Sequence, residues 1–208
     1  MPRAPADYEN NVFINCPFDE QYVPLFQAAV FVVYDADFRS RCALESSDGA
    51  EVRVDKVMRL IAECRLSIHD LSRVETDQSS LLPRFNMPLE LGIDLGCRRF
   101  GRGHLRRKNL LILDAENYRY RKFISDISGQ DIQAHNNAPL IMIRVVRDWL
   151  SHQSGGRRIP GGDFYANRFR EFESSLPDLY AGLKWDASRF NYGDYTNLVQ
   201  TWLQEHPS

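Results

Sequence analysis

The sequence predicts an α/β fold, in which a doubly wound parallel sheet is flanked by helices and followed by a C-terminal helical extension. Short apolar runs of strand length occur at Asn11–Asn15, Leu66–Asp70 and Asn109–Asp114. Segments with helical spacing separate them up to about residue 114, and this alternation is typical of a parallel sheet. The remaining pattern is helical. The chain is 43% hydrophobic and 26% charged, which excludes a globally disordered protein.

The first strand is followed by a loop, because Pro17 cannot continue a central strand. Asp19 can cap a helix that runs to about Tyr34. A second, less regular strand is predicted over Phe38–Leu44, and a helix with apolar residues at helical spacing begins at about Glu51.

The third strand, which ends at Asp70, leads into a polar loop over Leu71–Arg84. Loops of this length in compact domains are more often functional than short ones. A helix from about Asn86 to Arg98 precedes the fourth strand. Further helices are predicted at Tyr118–Ser128, Ala138–His152, Phe164–Leu183 and Tyr192–Glu205. We therefore predict a flexible N-terminus over residues 1–10, an α/β domain over residues 11–116, and a helical subdomain over residues 117–208 that packs on it.

Composition and motifs exclude several classes of protein. The formal net charge of −2 creates no overall field that would attract nucleic acid. No apolar window approaches the length of a membrane-spanning helix, and the N-terminus lacks the pattern of a signal peptide. The four cysteines form no C-x-x-C pair and the histidines lack metal-ligand spacing. We expect a cytoplasmic protein with no metal, no membrane contact and no nucleic-acid partner.

Two carboxylates mark the candidate site, since ligands of open parallel sheets bind at the carboxyl ends of the strands. Asp70 ends the third strand, and Glu90 lies in the first turn or so of the next helix. There the helix dipole would keep Glu90 ionised. A carboxylate can stabilise or trap the cationic sugar that forms when an N-glycosidic bond breaks. In the alternative, purely structural interpretation, Asp70 caps the loop and Glu90 faces solvent.

Four ordered segments resemble nucleoside 2-deoxyribosyltransferase-like proteins and the related bacterial TIR-like domains. They are Val12–Phe18, Asp55–Val57, Ser67–Ser72, and Met87–Gly92 together with Lys108–Leu113, and the match spans about residues 11 to 114. The resemblance implies a flavodoxin-like sheet, with Glu90 as the catalytic carboxylate and Asp70 as the acid that binds base or ribose. It also implies that Asn15, Phe18 and Asn86 line the pocket.

The resemblance implies an N-glycosidase that cleaves NAD as a substrate rather than holding it as a cofactor. Such proteins often act as homo-oligomeric effectors of bacterial antiphage defence. Two other functions stay open at this point. One is deoxyribosyl transfer between bases, and the other is a non-catalytic module that senses a nucleotide or dinucleotide and relays the signal through the helical half.

Basic residues supply the remaining candidates. Arg41, Arg73 and Arg84 lie near the predicted rim of the sheet, where Arg41 and Arg84 are expected to contact the phosphates of a nucleotide. The cluster Arg98–Lys108 could also contact phosphates. We favour a solvated loop there, because cations at the C-terminus of a helix complement its dipole.

Overall fold

The computed structural model describes residues 4–74, 83–186 and 189–208. The strands are β1 (Asn11–Asn15), β2 (Arg39–Arg41), β3 (Leu66–Asp70), β4 (Asn109–Asp114) and β5 (Ile132–Ala134). The α-helices are α1 (Val23–Asp35), α2 (Arg53–Glu63), α3 (Asn86–Phe100), α4 (Pro139–Gln153), α5 (Gly162–Leu183) and α6 (Tyr192–Glu205).

All neighbouring strands pair in parallel, in the order β2-β1-β3-β4-β5. This is the strand order of flavodoxin-like folds, in which the order reverses between β1 and β3. The predicted fold class is therefore confirmed. Ile14 of β1 pairs with Ile68 of β3, and Asn15 pairs with His69. The ends of β1 and β3 thus lie side by side at the point where a ligand crevice is expected.

The central strands match their predicted bounds because both of their faces are buried. Every residue of β1 and β3 is buried, as is β4 from Leu111 onward. Continuous apolar runs are typical of parallel strands covered on both faces. β2 is shorter than predicted and pairs only with the first half of β1, from Asn11 to Phe13.

The described residues divide into two compact units. The first contains the sheet, α2 and α3 and comprises Met1–Phe18 and Arg39–Asn136. In it, Phe13 packs with a face of α2 in the apolar cluster Phe13, Val57, Leu60, Ile61 and Cys64. A second cluster joins α3 to β4 and the segment after it, and consists of Leu71, Met87, Leu91, Ile112, Tyr120 and Ile127.

The second unit contains α1, α4, α5 and α6 and comprises Asp19–Phe38 and Asn137–Ser208. Its core is aromatic, because Phe31 of α1 contacts the rings of Phe169, Phe172 and Trp202. α1 follows β1 in the chain, so this unit is assembled from two separate stretches of sequence. None of the helices found in the described residues has the length and apolarity to cross a membrane.

The segment after β4 differs from its prediction. The expected helix over Tyr118–Ser128 is wrong, since Arg119–Lys122 and Ser125–Ile127 form two short 3-10 helices. Tyr118 has a φ of 63°, a left-handed conformation that an α-helix cannot accommodate. β5 then adds a fifth strand beyond residue 116. Near the N-terminus, the side chain of Tyr8 is buried and donates a 2.9 Å hydrogen bond to the carbonyl of His104.

Candidate active site

Glu90 lies in the second turn of α3, because the helix begins at Asn86. This position is beyond the first turn, to which the dipole effect is largely confined. The residue is only 9% exposed, and burial raises the pKa of its carboxyl group, while the charge of Arg53 acts in the opposite direction. Desolvation therefore opposes the ionised form of Glu90 that the helix dipole was expected to favour, and the position of Glu90 in the second turn weakens the effect of that dipole.

The Glu90 carboxylate accepts no hydrogen bond from the described residues, and Arg53 forms no ion pair with it. The carboxylate oxygens of Glu90 are not among the fully enclosed polar atoms that lack a partner, so solvent or a ligand can reach them. Asn86 precedes Glu90 by four residues and lies on the same face of α3. Its side chain is exposed, so it is placed where a ligand bound against that face of α3 could reach it.

Asp94 lies one turn after Glu90 on the same face of α3 and has several partners. Its Oδ2 is 3.0 Å from Nε2 of His69, and its Oδ1 is 3.3 Å from Nζ of Lys108. The hydroxyl of Ser67 also donates to it. Burial would raise the pKa of Asp94, but His69, Lys108 and Ser67 together outweigh it and hold the pKa below its usual range.

Asn15 connects this network to the start of α3. Its Nδ2 donates to the carbonyl of Met87 at 3.0 Å and lies 3.0 Å from Nδ1 of His69. Because Nδ1 then accepts a hydrogen bond, the proton of His69 is assigned to Nε2, which donates to Asp94. Asn15 was expected to line the pocket. The structure buries it and directs one of its amide hydrogens to the first turn of α3 and the other to His69 on β3.

Lys108 does not belong to a solvated basic cluster. It is buried, and its Nζ donates to the carbonyl oxygens of Ile61 and Cys64 at 2.7 and 2.6 Å. These carbonyls lie at the C-terminal end of α2, where unsatisfied acceptors attract a cation. Lys108 therefore joins the end of α2 to Asp94 on α3.

Asp70 ends β3, as predicted, and is only 1% exposed. Its Oδ1 accepts a 2.7 Å hydrogen bond from the backbone N–H of Ser72, and its Oδ2 lies 3.0 Å from Nε2 of His135. His135 directly follows β5. The carboxylate thus connects the ends of two strands of the sheet, and its oxygens are already engaged by the protein.

Asp114 ends β4 and forms a second buried carboxylate at the same edge of the sheet. Its Oδ1 accepts a 2.7 Å hydrogen bond from Nε of Arg119. Nη2 of the same guanidinium donates to the carbonyl of Leu71 at 2.8 Å. Burial raises the pKa of Asp114, Arg119 opposes that shift, and the charge of Asp70 adds to it. Arg119 therefore ties the loop after β3 to the end of β4.

The remaining predicted site residues lie in different settings. Arg41 binds both carboxylate oxygens of Glu45 at 2.6 Å and one of Glu63 at 3.1 Å, which leaves its guanidinium little capacity for a phosphate. Phe18 and Arg84 are exposed. Residues 75–82 of the predicted functional loop lie outside the described residues.

The partners that surround the two predicted carboxylates were not predicted from the sequence. Asp94 could have been found from its spacing of four residues after Glu90, and Asp114 from its position as the last residue of a strand, like Asp70. His135 gave no such signal, because β5 contains only three half-buried residues. In the parts of the chain that the structure describes, no three His, Cys, Asp or Glu side chains are grouped so as to hold a metal ion.

Comparison of the chain with protein-family models, with curated proteins and with solved structures returned no significant match. The resemblance to deoxyribosyltransferase-like and TIR-like proteins therefore stays a prediction that depends on the residues quoted for it. What can be said of the site comes from its own geometry.

Proposed function

We propose that this protein is a nucleotide N-glycosidase that cleaves NAD, with Glu90 as the catalytic carboxylate. The observation that carries the proposal is the isolation of Glu90. Within the described ranges, each of the other buried carboxylates has a hydrogen bond or an ion pair, and Glu90 alone has neither. The other buried carboxylates are Asp35, Asp70, Asp94 and Asp114. A carboxylate kept buried without a partner lowers stability, and such perturbed groups cluster at functional sites.

A cationic substrate would relieve this isolation. The nicotinamide ring of NAD carries a positive charge, and an opposite charge close to a buried carboxylate favours its ionised form. The nicotinamide ring would supply the positive charge that no described residue places within ion-pair distance of Glu90. The same anion would stabilise the ribosyl cation as the bond breaks.

The reaction balances without any further reagent. The bond between C1′ of the ribose and the ring nitrogen breaks, and its electron pair leaves with nicotinamide, which becomes neutral. Water adds to C1′ and loses one proton, so the products are nicotinamide, ADP-ribose and a proton. Glu90 stabilises the cation electrostatically or attacks C1′ to form a covalent intermediate that water then hydrolyses.

The surroundings of Glu90 on α3 suit a nucleoside. Phe85 and Leu89 precede it and are 68% and 60% exposed. Exposed apolar side chains next to a polar site offer surface for a planar base, and Asn86 adds an amide that can bind a hydroxyl or an exocyclic group. In this proposal Asn15 and Asp70 position the site rather than contact substrate, since both are buried and engaged by the protein.

The proposal is tested by incubating the purified protein with NAD and, separately, with deoxynucleosides and free bases. Products are separated by chromatography, at high protein concentration so that a homo-oligomer can form. We expect the wild type to release nicotinamide, and Glu90→Gln to lose at least about a hundredfold in rate. Glu173→Gln is the control for loss of one carboxylate charge, because it removes the same charge from an exposed residue on α5 of the second unit.

Each other outcome has a defined meaning. Full activity in a folded Glu90→Gln protein would refute the assignment of the catalytic residue. Base exchange with deoxynucleosides and indifference to NAD would identify a transferase instead. If the wild type releases nothing from any substrate yet is thermally stabilised by NAD, the protein is a nucleotide sensor, and the catalytic proposal is wrong. The antiphage effector role that the resemblance implies stays a prediction in all cases.

A further inference from the structure

A surface cavity of about 560 Å³ lies in the first unit, at the C-terminal end of α3. Its lining comes from three parts of the chain: the end of α3, the 3-10 helix at Gly103–Arg107, and the segment before β5. The lining residues are Leu95, Arg98, Arg99, Arg106 and Gln130. Three of the five are therefore arginines, and no carboxylate is among them.

These three arginines form no ion pair with any carboxylate in the described parts of the chain. The neighbouring Arg107 does, since its guanidinium lies 2.9 Å from Glu9. The helix dipole accounts for arginines at the end of α3, but it does not explain why Arg106, from a separate element, converges on the same cavity. Converging positive charges repel each other, and a bound anion would remove that repulsion.

The cavity is separate from the proposed active site. Arg98 and Arg99 follow Glu90 by eight and nine residues on the same helix, which corresponds to roughly 12–13 Å along its axis. Glu90 is near the start of α3, on the side where the strands end, whereas the arginines are at its far end. A ligand in the arginine cavity would not contact Glu90.

We propose that the arginine cavity binds a small phosphorylated ligand through its di- or triphosphate group. Guanidinium groups bind phosphate oxygens in pairs with fixed geometry, and three of them suit more than one phosphate. The volume lies within the range of small-molecule sites. Leu95 and Gln130 offer an apolar and an amide contact for the rest of the ligand. This site does not depend on the proposed glycosidase activity.

A small ligand fits better than a nucleic acid. The arginines line a concavity, whereas binding to a nucleic-acid backbone uses a stripe or groove of basic residues along the strand. The chain also carries a formal net charge of −2, so it lacks the overall field that draws proteins to nucleic acids.

The test is calorimetric titration with sodium tripolyphosphate and with ATP, at low and at physiological salt. We expect saturable binding that weakens with salt. Arg98→Gln/Arg106→Gln should weaken it at least about tenfold, since two charge-assisted hydrogen-bond donors are lost. Arg102→Gln/Arg158→Gln removes the same charge from exposed arginines outside the lining and should change affinity less than about twofold. Thermal unfolding confirms that both variants fold.

Several results would overturn the proposal. They are the absence of saturable binding at low salt, an equal loss in both double variants, and a loss of tripolyphosphate binding in Glu90→Gln. A single-stranded oligonucleotide of 20 nucleotides serves as a further probe. If the oligonucleotide binds more tightly than tripolyphosphate and its binding depends on Arg98 and Arg106, the arginine cavity is part of a nucleic-acid binding surface, and the small-ligand proposal is wrong.

Discussion

Two carboxylates that lie one turn apart on the same face of α3, Glu90 and Asp94, have pKa values shifted in opposite directions. Asp94 is fully buried, yet His69, Lys108 and Ser67 hold its pKa below the usual range. Glu90 is also buried but has no partner among the described residues, and desolvation raises its pKa. Asp94 is the more buried of the two, at 0% against 9% exposed, so burial cannot account for its lower pKa, and the difference comes from the charges and donors that surround each group.

This contrast separates a structural carboxylate from a candidate functional one. Asp94 connects β3, α3 and the residue before β4, and its charge is balanced within the protein. Glu90 forms no hydrogen bond or ion pair with the described residues, so a ligand could supply the partner for its charge. Three predictions test this contrast, two at the carboxylates themselves and one at Asn15, which holds the start of α3.

Removing the Asp94 charge should have the largest effect. Asp94→Asn leaves the buried ammonium of Lys108 without its carboxylate, and we expect a loss of about 3–5 kcal/mol in the free energy of unfolding. Urea denaturation at pH 7 measures it. Asp94→Leu combined with Lys108→Met should lose less than the sum of the two single changes, because no unpaired charge remains. A loss under about 1 kcal/mol for Asp94→Asn would contradict a structural role.

Replacing Asn15 should have an intermediate effect. Asn15→Leu removes the donors to Met87 and His69, and we expect a loss of about 1–3 kcal/mol, because two buried acceptors lose their partner. If Asn15 only holds α3, KM for NAD should stay close to that of the folded wild type. An Asn15→Leu protein of wild-type stability but strongly raised KM would instead place Asn15 in contact with substrate.

Neutralising Glu90 should have the smallest effect on stability, and of the opposite sign. The folded-state pKa of Glu90 is raised above its unfolded value, so its ionised form destabilises the fold at neutral pH. Glu90→Gln should therefore be more stable than the wild type by about 1 kcal/mol at pH 8. The gain should shrink as pH falls through the folded-state pKa and vanish below about pH 4, near the unfolded value.

Urea denaturation across this pH range measures the gain, and replacement of the exposed Glu171 by glutamine controls for the change in net charge. A gain that does not vary with pH would show that desolvation of the Glu90 carboxylate is not its cause. A loss of stability at pH 8 would mean that Glu90 has a stabilising partner after all, which would end the contrast with Asp94.

The sequence was sufficient to predict the central sheet. β1, β3 and β4 were correctly bounded, because strands buried on both faces leave continuous apolar runs and β1 is ended by Pro17. β5 was missed because three half-buried residues are too few for a pattern, and pairing with β4 holds them in place. Nor could the sequence show that α1 belongs with helices that follow it by more than a hundred residues.

The two central carboxylates of the site were named from the sequence, but their environments were not. Asp70 ends a strand and Glu90 follows a helix start, and both positions can be identified from the sequence alone. Asp94, His69 and Lys108 come together only through the pairing of β3 with β4 and the packing of α3. These contacts form only in the tertiary structure. From sequence spacing alone, Lys108 was therefore grouped with the basic loop that precedes it.

Because Lys108 is buried, the reactivity of its amine can be used to measure local opening of the first unit. Its amine is enclosed beneath the carbonyls that end α2, so an amine-specific reagent cannot reach it in the closed protein. Lys122 and Lys184 are exposed and would be modified at once. The rate at which Lys108 is labelled would therefore measure how often the first unit opens, and a ligand that closes that unit would slow the labelling.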